Sequence, residues 1–236
     1  MGKRIISRAR GKGGPNYRVP SFRFYGEAKM LPLTNAPVQG KVLDLIKDPG
    51  HSAPLAQVNY DNGETSLLIA PEGLKVGDTL TAGGTEVSAG NIVSLKDVPL
   101  GTTICNIEAK PGDGGKFCRA SGTTARVVEK DEKSITIELP SKKTKQFLPL
   151  CRATIGIAAG GGRTEKPMLT AGFAYHKAKA KNKRYPIIGG TSQNACDHPF
   201  GGRSSAHKGR PTQANRNAPP GRMVGKIRPR RTGMRR

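Results

Sequence analysis

Aromatic residues are scarce in this 236-residue chain, which has no tryptophan, six phenylalanines and five tyrosines. Surfaces that bind single-stranded nucleic acid mainly by stacking need aromatic platforms, so this kind of surface is disfavoured. No apolar run approaches the ~20 residues that a membrane-spanning helix needs. The start, MGKRIISRARGKGG, is basic but has no apolar segment behind it, unlike a signal peptide. We therefore expect a soluble, intracellular protein.

Cysteine is also sparse, with four residues at positions 105, 118, 151 and 196. No two of them have the close C-x-x-C spacing of zinc or redox sites. We expect reduced thiols, two or three of them in strands, and neither a metal nor another cofactor. A structural zinc or a disulfide is the alternative that this spacing disfavours.

Acidic residues are few relative to basic ones. The chain has 17 Asp and Glu against 40 Lys and Arg, a formal net charge of +23. Such an imbalance causes self-repulsion unless a polyanion neutralises it, which indicates nucleic acid rather than an anionic membrane. The excess is confined to the ends: residues 1–30 carry +7 and residues 161–236 carry +16, whereas residues 31–160 are neutral.

The basic ends are rich in glycine and proline, as in GKGGPN, GGGR, PFGGR and NAPPGR. Such segments bury too little apolar surface to offset the entropy of ordering. We expect basic extensions of little regular structure at residues 1–35 and 166–236, ordered when Lys and Arg neutralise RNA phosphates. A tail that binds polyanions without specificity is the alternative. The mixed sequence RYPIIGGTSQNACDHPFGG and the spaced cations disfavour it.

The neutral centre shows short period-two segments separated by turn signals, which predicts a mainly β fold. VQGKVLDLIKD (38–48) predicts a strand, and PLAQVNYDNGETSLLIAP (54–71) predicts a hairpin around Asp-Asn-Gly. Together with GLKVGDTLTAGG, these segments predict a small barrel over residues 36–84.

A second small barrel is predicted over residues 85–165. ITIEL (135–139) alternates strictly, and strands recur about every ten residues, as in small closed or partly open barrels. One helix is predicted at 166–181, with Pro167 in its first turn.

The loop PGDGG lies within KPGDGGKFCRASGTT (110–124) and precedes Lys116 and Arg119. Glycine-rich backbone with flanking cations can receive phosphate oxygens, so the loop is an expected RNA contact. A nucleotide site is disfavoured because GxxxxGK[ST] is absent. A plain hairpin connection is the other alternative.

The stretch NACDHPFGG (194–202) puts a thiol, a carboxylate and an imidazole side by side. Three consecutive residues of an extended chain point in alternating directions, which disfavours a shared metal. Acid–base catalysis by His198 needs a preorganised pocket, and this segment lies outside any predicted core. We favour RNA anchoring: Asp197 locks a turn by accepting backbone N–H bonds, and Pro199 keeps His198 extended. His198 then donates to a phosphate, a 2′-hydroxyl or a base edge.

In their order along the chain, these motifs resemble one family. SAPLAQVNYDNGE, APEGLKVGD, PLGTTICNIEAKPGDGGKFCRASGT, CRATIG and NACDHPFGG are similar to the universal protein number two of the large ribosomal subunit, the L-two family. The resemblance covers roughly residues 8–233. The segments NAPPGRMVG and RTG resemble the archaeal and eukaryotic branch of the family rather than the bacterial one. The short length of the chain resembles that of archaeal members.

The resemblance implies an OB-fold barrel followed by an SH3-like barrel, with both extensions threaded into large-subunit rRNA. It implies a non-catalytic, primary rRNA-binding protein near the peptidyl-transferase centre, needed for subunit association, tRNA binding and peptide-bond formation. The implied partners are large-subunit rRNA, other ribosomal proteins and small-subunit rRNA at the subunit interface, in cytoplasmic ribosomes. No membrane and no small-molecule substrate is implied. The chain departs from the family at Gly189, where arginine is usual, and at Arg203, where a third glycine is common.

We expect rRNA contacts from basic residues of both ends and of the second barrel, together with the Asp-His pair. In chain order they are Arg4, Arg8, Arg10, Lys12, Arg18, Arg23, Lys116, Arg119, Arg152, Arg163, Lys177, Lys179, Lys181, Lys183, Arg184, Asp197, His198, Arg203, Arg210, Arg216, Arg222 and Arg228.

Two other classes of function compete with this interpretation. An enzyme acting on RNA through His198 and Asp197, or through a metal, should show a second His or carboxylate cluster inside a barrel. His51, at a turn, and His176, in a Lys-rich stretch, do not form one. A free translation factor or RNA chaperone with the same barrels should cycle on and off ribosomes.

Overall fold

The computed structural model describes residues 2–34, 36–202, 213–215, 217–218, 224 and 226–227. The chain forms two compact units, one of Pro20–Thr170 and one of Met1–Val19 with Ala171–Arg236. We call them the barrel unit and the terminal unit. The strands of the barrel unit are β1 Val38–Ile46, β2 Leu55–Tyr60, β3 Thr65–Ile69, β4 Thr79–Gly84, β5 Ile92–Ser94, β6 Thr103–Cys105, β7 Ala125–Lys130, β8 Ile135–Glu138, β9 Thr144–Phe147 and β10 Arg152–Ile155.

The ten strands of the barrel unit form one hydrogen-bonded sheet in the order β3-β2-β1-β4-β5-β10-β6-β7-β8-β9. The mainly β expectation is therefore confirmed. The β2–β3 hairpin has the predicted turn: Gly63 has φ of 82° and donates its N–H to the Tyr60 carbonyl at 2.8 Å. Neighbouring strands are antiparallel except at the boundary between the two predicted barrels, where β4 and β5 pair in parallel.

Two apolar cores lie on either side of that boundary, as the period-two segments predict. The first includes Val42, Val58 and Leu80, and the second includes Ile104 and Ile137. Each large side chain contributes about 1.5–3 kcal/mol when it is fully removed from water. Two barrel-sized cores in one sheet fit an OB-fold followed by an SH3-like barrel.

A third apolar cluster joins the two barrels. It contains Leu55 and Ile69 from the first barrel with Cys105 and Ala158 from the second, all buried. The barrels therefore share apolar contacts as well as sheet hydrogen bonds.

Residues 20–34 belong to the barrel unit, although the predicted N-terminal extension reaches residue 35. Ala28, Met30 and Leu31 are buried, and the Met30 N–H donates to the Gly114 carbonyl at 3.1 Å. This segment has no regular strand, so period-two reasoning does not detect its packing. Contact with the first core and with the 110–115 loop holds it in place.

The terminal unit contains helices α1 (Ile6–Gly11) and α2 (Ala171–Ala180) and a short parallel pair, β11 (Gln213–Ala214) with β12 (Lys226–Ile227). Helix α2 begins four residues after Pro167 rather than at 166, directly after Thr170, a residue type that favours N-cap positions. Residues 166–170 are all exposed, so no packing extends the helix there. No helix in the described part of the chain is both long and apolar enough to cross a membrane.

Candidate nucleic-acid interface

The terminal unit carries most of the excess charge. Residues 1–19 and 171–236 contain one acidic residue, Asp197. Of the predicted RNA-contacting cations in this unit, the exposed ones are Arg4, Lys12, Arg18, Lys177, Lys179 and Lys183, and the partly buried ones are Arg10, Lys181 and Arg184. A unit with so much charge of one sign attracts a polyanion strongly.

Main-chain and side-chain bonds order the two ends of this unit against each other. The Asn182 side-chain amide donates to the carbonyls of Asn16 at 3.3 Å and Arg18 at 2.7 Å. The Arg18 Nε donates to the Gly13 carbonyl at 3.2 Å, and the Arg10 guanidinium lies 5.4 Å from the Tyr17 ring centroid. Cations from both ends are thus brought into one unit.

The NACDHPFGG stretch folds into a closed turn. The Asn194 carbonyl accepts the N–H groups of Asp197 at 3.0 Å and His198 at 3.1 Å, and Gly201 donates to the His198 carbonyl at 2.9 Å. Main-chain bonds therefore close the turn, and the turn-locking role of the Asp197 carboxylate stays a prediction. That carboxylate lies 3.8 Å from the Lys3 Nζ, while the Lys3 N–H donates to the Cys196 carbonyl at 2.7 Å.

The His198 ring has a defined place in this turn. Its Nδ1 accepts the Phe200 N–H at 3.0 Å, so the ring proton of the neutral imidazole lies on Nε2. The rings of His198 and Phe200 are 5.1 Å apart, and Phe200 is buried. A Cβ at residue 190 would overlap the His198 imidazole, so the ring keeps this place only while residue 190 is glycine. The Nε2–H is then a donor held in one orientation.

The PGDGG loop is shaped by two carboxylates. Asp113 accepts three main-chain N–H bonds of 3.0 to 3.2 Å, one of them from Gly115. Buried Glu108 accepts the Gly114 N–H at 3.3 Å. The Gly114 and Gly115 amides are therefore engaged inside the protein, which disfavours their contact with phosphate. Lys116 is exposed at the rim of the loop, and the RNA contact of the loop stays a prediction.

Arg152, one of the expected RNA contacts, lies buried inside the barrel unit. It is 3% exposed, and its Nη2 and Nε donate to the Glu108 Oε1 at 2.7 and 3.2 Å. Its main-chain N–H donates to the other carboxylate oxygen at 2.9 Å. The guanidinium neutralises a buried carboxylate, and this burial disfavours the RNA contact, which stays a prediction.

Arg119 is half-buried and also serves the protein's own backbone. Its Nη2 donates to the Ala28 carbonyl at 2.7 Å and its Nη1 to the Gly115 carbonyl at 3.3 Å. Burial lowers the pKa of this guanidinium, against the opposing effect of nearby Glu27 and Asp113. Arg119 therefore fixes the position of the loop and contributes positive charge near its rim.

The structure describes the side chains of two of the other predicted cations, Arg23 and Arg163. Arg23 is exposed, with its guanidinium 5.3 Å from the Phe22 ring centroid, and the Nε of exposed Arg163 donates to the Ser121 Oγ at 2.9 Å. The Arg8 side chain and the residues Arg203, Arg210, Arg216, Arg222 and Arg228 lie outside the described part, so their RNA contacts stay predictions.

Sequence reasoning missed Lys3 and Lys29. Lys3 faces Asp197, and Lys29 forms an ion pair with Glu27 at 2.9 Å. No motif marks Lys3, since its contact with Asp197 depends on how the chain folds back on itself. The alternation of charge in Glu-Ala-Lys is the one local signal for the second pair.

The four cysteines are free thiols. Burial raises the pKa of Cys105 to about 12 and that of Cys118 to about 11, and Cys196 is exposed. Within the described residues, no group of three His, Cys, Asp or Glu is placed to hold a metal ion.

Comparison with known proteins identifies the family. Residues 3–82 match the RNA-binding N-terminal domain of ribosomal proteins L2, and residues 88–222 match their C-terminal domain. The large ribosomal subunit protein uL2 of Archaeoglobus fulgidus is 51% identical over 237 residues, covering 100% of both chains. Those of Methanothermobacter thermautotrophicus and Methanococcoides burtonii are 48% and 47% identical, again over 100% of each chain. The chain therefore belongs to the ribosomal protein L2 family, in its archaeal type.

Proposed function

We propose that the chain is a non-catalytic structural component of the large ribosomal subunit and a primary rRNA-binding protein. It lies near the peptidyl-transferase centre, where it supports subunit association, tRNA binding and peptide-bond formation. The observation that carries this proposal is a terminal unit with many cations and one acidic residue, Asp197, attached to barrels of the L2 family. Its partners are large-subunit rRNA, other ribosomal proteins and small-subunit rRNA at the interface, in cytoplasmic ribosomes.

The exposed cations of the terminal unit bind rRNA mainly through phosphates. Arg4, Lys12 and Arg18 come from one end of the chain and Lys177 and Lys179 from the other, so RNA can contact both ends at once. Lys116, Arg163 and Arg23 add contacts from the barrel unit. Binding through many phosphates releases many counterions, and affinity should fall steeply with salt.

His198 anchors RNA rather than performing acid–base catalysis. Its Nδ1 is engaged by the Phe200 main chain and the Asp197 carboxylate faces Lys3, so these two side chains do not form an oriented acid–base pair. The remaining Nε2–H suits a phosphate oxygen, a 2′-hydroxyl or a base acceptor. These contacts support the anchoring role over an RNA-directed enzyme.

Sedimentation tests the structural role against that of a free translation factor. Ribosomal subunits carrying the tagged chain are centrifuged through sucrose gradients of increasing salt. A structural protein should remain in the large-subunit peak after a high-salt wash. Release into the top fractions at moderate salt would support the factor and contradict the proposal.

Three substitutions of His198 test its anchoring role. Asn keeps an acceptor near the Nδ1 position but loses the outer donor, whereas Gln can place an N–H near the Nε2 position. Ala and Asn should impair large-subunit assembly or subunit joining, and Gln should restore part of the loss. If the Ala ribosomes assembled fully and bound tRNA normally but lost peptidyl transfer, the anchoring role would be wrong.

A further inference from the structure

Main-chain hydrogen bonds join residues 27–30 to the PGDGG loop and to β3. The Met30 N–H donates to the Gly114 carbonyl at 3.1 Å, and the Lys29 N–H donates to the Leu67 carbonyl of β3 at 2.9 Å. Alternate side chains of an extended segment point to opposite sides. Ala28 and Met30 are accordingly buried, and Glu27 and Lys29 are exposed together beside the loop.

Lys29 and Glu27 form an ion pair, with the Nζ and Oε2 atoms 2.9 Å apart. The Lys29 stem lies against the loop: a Cβ at Gly114, whose φ is +80°, would be 3.0 Å from the Lys29 Cγ. The glycine therefore lets the lysine lie flat on the loop with its ammonium group at the rim.

Two further cations act on the same carboxylate. The hydrogen bond from Lys29 lowers the pKa of Glu27 most. Desolvation raises it, and the charges of Lys29, Lys116 and Arg119 lower it further. Arg119 donates to the carbonyls of Ala28 and Gly115, the sequence neighbours of Glu27 and Lys116, so the carboxylate and the three cations lie in one region. A phosphate oxygen would be attracted to the same point for the same reasons.

A groove of about 370 Å³ lies between the segment that contains Glu27 and Lys29 and the edge strand β3. Glu27, Lys29, Glu64, Thr65 and Ser66 are among the residues that line it. An adjoining groove shares Glu27 and Thr65 and adds the polar side chains of Tyr25 and Gln57. Hydroxyl and amide groups beside a cationic rim suit a sugar–phosphate backbone.

We propose that Lys29, Lys116 and Arg119 form a phosphate-binding site in which Glu27 occupies the phosphate position in the free protein. An RNA phosphodiester displaces the carboxylate, one negative charge replacing another. This inference rests on the proposed function, because RNA supplies the phosphate. Exposed ion pairs are weak, so RNA that makes several contacts displaces Glu27 readily. A polyanion that contacts the protein only at this site gains little binding free energy from displacing Glu27. Glu27 therefore favours the RNA that makes several contacts over other polyanions.

Binding of the full chain to deproteinised large-subunit rRNA tests the site, with Kd measured by filter binding at fixed salt. Glu27→Gln should tighten binding about two- to fivefold, the range that one exposed ion pair allows. Lys29→Gln should weaken binding. In the Lys29→Gln background, Glu27→Gln should tighten binding less than it does in the wild-type chain. Glu132→Gln, in the exposed β7–β8 turn, makes the same charge change and should leave Kd nearly unaltered. Circular dichroism of each variant checks that the fold is retained.

The outcomes separate the two proposals. If the wild-type chain bound this rRNA weakly and without a steep salt dependence, the proposed function would fail and the site with it. If the wild type bound as expected but Glu27→Gln gained no more than Glu132→Gln, the phosphate site alone would be wrong. Glu27→Gln could also tighten binding equally in the wild-type and Lys29→Gln backgrounds. That result would contradict the site, because the carboxylate would then act only through net charge.

Discussion

Replacing Arg152 with methionine should destabilise the barrel unit without acting directly on an RNA contact. Glu108 is 0% exposed and accepts bonds of 2.7 and 3.2 Å from this guanidinium. The substitution removes both bonds and leaves Glu108 with main-chain donors from residue 152 and Gly114. Removing one partner of a buried ion pair costs about 3–5 kcal/mol, because the other charge stays buried without compensation.

A loss of this size is large against the roughly 5–15 kcal/mol of a typical domain. With a urea dependence of about 2 kcal/mol per M, a loss of about 4 kcal/mol lowers the unfolding midpoint by about 2 M. Circular dichroism follows the transition in a chain that has no tryptophan. Arg126→Met, at an exposed position of β7, is the matched control and should change stability by no more than about 0.5 kcal/mol.

A double variant separates the orphaned charge from lost packing. Glu108→Gln together with Arg152→Met removes both charges and should recover part of the lost stability. If Arg152→Met kept the wild-type urea midpoint and instead lost rRNA affinity, the guanidinium would serve RNA and its structural role would be refuted.

Two further predictions concern the terminal unit and the thiols. Gly190→Ala should displace the His198 ring and reproduce the assembly defect of His198→Ala in gradient profiles of purified subunits. Gly189→Ala, where a Cβ meets nothing within 4 Å, should assemble normally, and equal defects in both would contradict this packing. At pH 8, Ellman's reagent should modify exposed Cys196 quickly, whereas Cys105, with its pKa raised to about 12, should react only after urea unfolding. Comparable rates for the two thiols in the folded protein would show that Cys105 is accessible.

Much of the strand arrangement could be predicted because its signals are local. The β2–β3 turn needs a left-handed residue at Gly63, and the alternation at Ile135 and Ile137 follows directly from the pleat. β10 has no such alternation, since all four of its residues, Arg152 included, are buried. It lies between β5 and β6 in the sheet, which only the tertiary structure reveals.

The candidate interface was harder to predict, since a basic side chain looks the same in sequence whether it meets RNA or a buried carboxylate. Glu108 lies 44 residues from Arg152 in the chain, so no local pattern links them. Asp113, likewise, takes up backbone groups that the glycine-rich loop was expected to offer to phosphate. The excess charge of the ends, in contrast, needs no tertiary contact to be recognised, because it is a property of composition.

The parallel pairing of β4 with β5 has a mechanical consequence. Ala82 pairs with Ile92 and Gly84 with Val93, so main-chain bonds cross the junction between barrels, and the cluster around Leu55 fills the space beside it. Relative motion of the barrels would break both sets of contacts together. We therefore expect the two barrels to keep a fixed distance from each other. Two RNA segments bound to the two barrels would then be held at one separation.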